Sequence, residues 1–158
     1  MELVSLLRPD IILFLVLVVV AFGYGHVKGK NAIISLSLAS LLAFLVYLLL
    51  PEAWVASFIP AEPTQAFYAR TAIFAVVTAL LHFWVLRKFV IGDGWGIGKL
   101  AKLLMLTLAW ALFIVTVLYG LGLEAVIAIG TPFTILIATG FSKILGALIL
   151  IGVIAVGK

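Results

Sequence analysis

Four long apolar runs, each near the thickness of a bilayer, are separated along this chain by short segments that hold most of its charge. A helix needs about 20 mostly apolar residues to cross hydrocarbon, and the runs predict spans at about 9–27, 32–50, 66–86 and 103–121. The first opens on Pro9-Asp10, a proline suited to a first helical turn followed by an acid near the positive end of the helix dipole. Its uninterrupted apolar part, Ile11 to Phe22, reaches bilayer length only if Gly23-Tyr24-Gly25-His26 extends it. Each of Gly23, Gly25 and Gly29 weakens a helix by about 1 kcal/mol, so fraying or a break is expected in this glycine-rich, basic elbow.

The second run, Ala32 to Leu50, carries no charge and is stopped by Pro51. Ala32, Ser35, Ala39 and Ala43 recur at intervals of three, four and four. They form one small-residue face of the kind through which helices approach closely in lipid. In the third run Thr71, Ala75, Thr78 and His82 follow the same spacing and give a small and polar face. Pro51 to Arg70 reads as the longest polar-leaning connection. Within it Trp54, Val55, Phe58 and Ile59 share one side, which predicts a short amphipathic helix in the membrane interface before Pro60. The stretch from Gly122 to Lys158 is apolar but holds Glu124, Pro132 and Lys143. It fits either a re-entrant piece followed by a fifth span or two short spans, and the interruptions at Gly130 and Pro132 favour the first. Glu124 and Lys143 either pair or each snorkel to an interface.

Composition turns these runs into a class. Hydrophobic residues make up 66% of the 158-residue chain and charged residues 10%, whereas soluble domains run nearer half and a quarter. Lipid must therefore solvate much of the surface, and the expectation is a single all-α integral membrane domain over residues 1–158. Met1 to Asp10 is mixed in charge and no small-x-small site follows, so the first run reads as a retained span and not a cleavable signal. With no cysteine, a disulfide framework, a thiolate metal site and a Cys nucleophile are excluded.

The net charge of +4 is explained by topology without an acidic partner such as nucleic acid. Lys28, Lys30, Arg87, Lys88, Lys99 and Lys102 cluster at the first elbow and around the loop after span three. Only Arg8 and Arg70 occupy the N-tail and the 51–70 segment. By the positive-inside rule the six are cytoplasmic anchors and the N-terminus lies outside.

The glycine loop at 92–99 fails as a phosphate cradle. A Walker A loop would need glycine where Asp93 stands and Ser or Thr where Leu100 stands, and Ile97 breaks the dinucleotide pattern that starts at Gly92. Gly25–Gly29, Gly92–Gly96 and Gly94–Gly98 fit Gly-x3-Gly but fall in basic loops, so they are discounted as helix-packing motifs. Two histidines without carboxylate company predict no metal site, and no other cofactor is expected. Trp54, Tyr68, Trp84 and Tyr119 suit an aromatic belt, while Trp110 is mid-span and expected to pack against another helix.

His82 is the one strongly polar side chain well inside a span, and with Thr71 and Thr78 it forms the candidate functional face. One reading makes it a proton relay, or a base paired with Ser35, Ser37 or Ser40. The other makes it a neutral imidazole hydrogen-bonded to a neighbour's hydroxyl. A hydrolase needs a third group to orient the ring, and the pattern supplies no acid at that depth, which favours the structural reading.

An acid opening the first span (Asp10), a glycine-containing basic elbow (Gly25 to Lys30) and a Ser-Leu-bearing second span (Ile34-Ser35-Leu36-Ser37-Leu38) together resemble the colicin V production (CvpA-like) family of small bacterial inner-membrane proteins. The resemblance extends over about residues 10–120. It departs from the family at Asp93, which precedes Gly94, Gly96 and Gly98 of its loop, and in the apolar C-terminal piece. It implies a multi-pass inner-membrane protein tied to envelope function or export, with no enzyme chemistry. The expected partners are the bilayer and other membrane proteins or further copies of the chain. The expected function is a non-enzymatic scaffold or accessory protein, with a small oligomeric channel or transporter as the alternative.

Overall fold

A computed structural model describes residues 8–86, 99–127 and 151. The described residues are helical with short connections: α1 (Pro9–Lys28), α2 (Lys30–Leu49), α3 (Glu52–Phe58), α4 (Pro63–Leu80) running on into a π-helical turn (Leu81–Leu86), α5 (Lys99–Gly120) and a 3-10 turn (Leu123–Ala125). Four of these stretches are long and apolar enough to cross a membrane, over Pro9–Lys28, Asn31–Leu49, Pro63–Trp84 and Ala101–Gly120. Much of α1 is valine and isoleucine, which have modest helix propensity in water. In hydrocarbon every backbone group must be bonded internally, and that requirement outweighs the propensity deficit.

The first span runs, as expected, through Gly23 and Gly25, and ends at Lys28; the break expected in the elbow is confined to Gly29, at φ 90° and ψ 167°. Packing supplies the reason. Gly25 is buried where α1 crosses its neighbours, and a Cβ there would lie 2.5 Å from Ile33 Cγ1 and 2.6 Å from Leu103 Cδ1. The Gly25–Gly29 pair, discounted as part of a loop, therefore begins at a glycine inside a span, where its missing side chain lets three helices meet.

α2 is the hub, packing against α1, α4 with its π turn, and α5, while α1 also packs on α5. Half of the α2 span and 67% of the α5 span are buried, against 17% for α1 and 22% for α4, so α2 and α5 form the interior. The small-residue face explains how α2 can serve as hub. Ala32, Ser35, Ala39 and Ala43 are all buried and allow close approach of the surrounding helices. Leu15, Val16, Val19 and Val20 of α1 face outward, as suits contact with lipid.

The third span starts at Pro63, earlier than the expected position 66, because a proline at the first helical position leaves no backbone bond unmade. Arg70 lies within α4, as the expected span at 66–86 already had it. Its side chain is half-buried, and Nη1 donates to the carbonyl of Leu121 at 3.4 Å. Asp10 is also buried. α3 matches the expected amphipathic helix, with Trp54 and Phe58 exposed. The expected anchors Arg87 and Lys88, the glycine loop and the choice between a re-entrant and a fifth C-terminal segment lie outside the described residues.

Candidate functional site: a buried histidine beside an apolar groove

His82 stands at the start of the π turn and is 2% exposed. Its Nε2 is 2.7 Å from the hydroxyl of Tyr24 on α1, and its Nδ1 is 3.0 Å from the hydroxyl of Ser35 on α2. A neutral imidazole has one donor and one acceptor nitrogen, so one hydroxyl donates to the ring while the other accepts from it. The Tyr24 ring also lies edge-on to the imidazole, with centroids 5.7 Å apart. Three helices are thus joined at one side chain. Insertions of one residue that widen a helix into a π turn recur at specialised sites, and nothing in Leu81 to Leu86 marks the insertion in advance.

Ser35 is the span-two serine that meets His82. Ser40 instead donates to Leu36 O at 2.9 Å and accepts the indole N–H of Trp110 at 3.1 Å, while Ser37 is fully buried elsewhere. Ser35, in contact with His82, is fully buried.

Beside this cluster a groove of about 460 Å³ separates α4 from the α1 and α5 pair, with Ser40 and Leu36 of α2 in its wall. The three polar-face candidates, Thr71, Thr78 and His82, all line it, together with Tyr24 and Trp110. No charged side chain is among the described lining residues. A second cavity of about 880 Å³ lies at the opposite end of the bundle between Tyr47, Ile59, Arg70 and Glu124. Among the described residues no group of His, Asp and Glu is arranged to hold a metal ion.

The basic residues are placed consistently. Lys28 ends α1, Lys30 and Lys99 begin α2 and α5, and Lys102 is exposed one turn further on. Gly25 lies against Leu103, so these four lysines share one end of the bundle.

Tyr24 is the residue that sequence reasoning passed over. It sits between two glycines near the end of the first span, and nothing in its spacing pairs it with the His82 that its phenol meets. In the comparisons with known proteins, no family model, curated protein or solved structure matches this chain.

Proposed function

We propose that this chain is a non-enzymatic, multi-pass scaffold or accessory protein of the cytoplasmic membrane, tied to envelope function or export as its resemblance to the CvpA-like family implies. In this reading its N-terminus is outside, its shared lysine end is cytoplasmic, and its partners are other membrane helices or further copies of itself. The observation that carries the reading is the Tyr24–His82–Ser35 cluster. The reactive side chains of this cluster, near the lysine end of the spans, bond one another and tie α1, α2 and α4 together. A conduction path or an active site would keep such groups open to water or substrate.

The alternative, a small oligomeric channel or transporter using the polar face of span three, draws on Thr71 and Thr78. Reconstitution separates the two. Proteoliposomes of the purified protein should give no ion or solute flux above protein-free vesicles, and flux abolished by His82→Ala would replace the scaffold reading with the transporter. Hydrolytic activity lost in both His82→Ala and Ser35→Ala would instead make the protein an enzyme.

A further inference from the structure

We infer that the groove between α4 and the α1–α5 pair is a binding site for one neutral, single-chain-wide lipid whose head offers a carbonyl or hydroxyl group. The site is independent of whether the protein is a scaffold.

The first observation is an imbalance among hydroxyls. Threonines and serines in apolar helices ordinarily return their hydroxyl proton to their own backbone. Thr107, Thr116 and Ser40 do so, to Leu104 O, Leu112 O and Leu36 O at 2.9 Å each. Thr71 and Thr78 do not: their Oγ1 atoms are buried without a hydrogen-bond partner, as is the Ser37 hydroxyl, but unlike Ser37 both threonines line the groove. Thr78 is only 8% exposed, so bulk water does not satisfy it. A buried hydroxyl left unbonded is costly, and a ligand head in the groove would remove that cost.

Size and charge narrow the ligand. A volume of about 460 Å³ lies within the range of small-molecule pockets, about 300–1,000 Å³. The groove opens beside Val20, Ala75, Ala79 and Phe83, all exposed on the flank that faces lipid in a membrane. With no charged side chain in its described wall, a phosphate or ammonium head would be desolvated without a counter-charge. An uncharged head reaching the deeply buried Thr78, with its chain lying along the apolar wall, meets each condition.

Trp110 lines the groove and reports on it. In a variant retaining Trp110 alone (Trp54, Trp84 and Trp95 each changed to Phe), a monoacylglycerol with a brominated acyl chain should quench fluorescence saturably in detergent micelles. The same chain on lysophosphatidylcholine should quench only in proportion to its mole fraction. Thr78→Val, nearly isosteric, should raise the half-saturating mole fraction about fivefold, the worth of one hydrogen bond. Ala75→Leu with Ala79→Leu should fill the groove and abolish the saturable part. Equal quenching by the two lipids, or saturable quenching unchanged by Thr78→Val, overturns the site. The Thr78→Val result decides the matter even if the double leucine variant does not fold.

Discussion

Trp110 on α5 donates its indole N–H to the hydroxyl of Ser40 on α2, at 3.1 Å across seventy positions of sequence. Ser40 passes its own proton to Leu36 O, so the contact leaves neither group wanting. The two helices that form the bundle interior are thereby keyed to one another in register. The two ways of breaking the contact differ. Ser40→Ala strands a buried N–H and should destabilise the protein by about 1–3 kcal/mol. Trp110→Phe removes donor and ring edge together and leaves Ser40 bonded to its own helix, so its loss comes from packing alone. Unfolding in mixed micelles, following helicity, should show that Ser40→Ala with Trp110→Phe costs less than the sum of the two.

Gly25 and Gly23 predict opposite responses to the same change. A methyl group at Gly25 meets Ile33 and Leu103, both essentially fully buried with no room to retreat. Gly25→Ala should destabilise by about 1–3 kcal/mol, the range for overpacking. Nothing lies within 4 Å of a Cβ at Gly23, so Gly23→Ala should be neutral or stabilise by up to about 1 kcal/mol through helix propensity. Thermal unfolding in detergent reads both.

At Gly29 the constraint is backbone conformation and not space, since nothing lies within 4 Å of an added Cβ. The combination φ 90°, ψ 167° belongs to glycine almost alone, and Gly29→Ala should cost about 1–3 kcal/mol. Inserting two glycines after Gly29 in that variant, which relieves the single-residue reversal, should recover part of the loss in the same assay.

The absence of native cysteine makes topology accessible by single substitutions. Cysteine at Lys28 or Lys102 should react with a membrane-impermeant maleimide only after cells are permeabilised. Cysteine at Ser57 or Glu62 should react in intact cells. Labelling of the Lys28 variant in intact cells would invert the proposed orientation.

The spans were legible because composition and proline punctuation act locally: Pro9, Pro51 and Pro63 bound helices for reasons that need no tertiary knowledge. His82 stood out for the same reason, as a polar group in an apolar run, and Ser35 was among the serines that could meet it. What could not be read came from helix crossing. Gly25 was within the expected first span, but nothing local shows that Ile33 and Leu103 pack against it. The Tyr24–His82 contact likewise depends on how α1 crosses α4. The contact of the Arg70 guanidinium with the carbonyl of Leu121, fifty-one positions away, also has no local sign. The π turn that carries His82 follows from long-range packing and has no sequence signature.

The account rests on His82 acting as a lock among α1, α2 and α4. The most direct test is the coupling free energy between Tyr24→Phe and Ser35→Ala, measured by unfolding in mixed micelles with His82 present and with His82→Ala. Interhelical hydrogen bonds in membrane proteins average about 0.6 kcal/mol and reach about 1.7, so each single change should cost an amount in that range. If one imidazole joins the two hydroxyls, their effects should couple by at least about 0.5 kcal/mol, and the coupling should vanish in the His82→Ala background. Additive effects with His82 present, or single variants as stable as the unsubstituted protein, would contradict the lock.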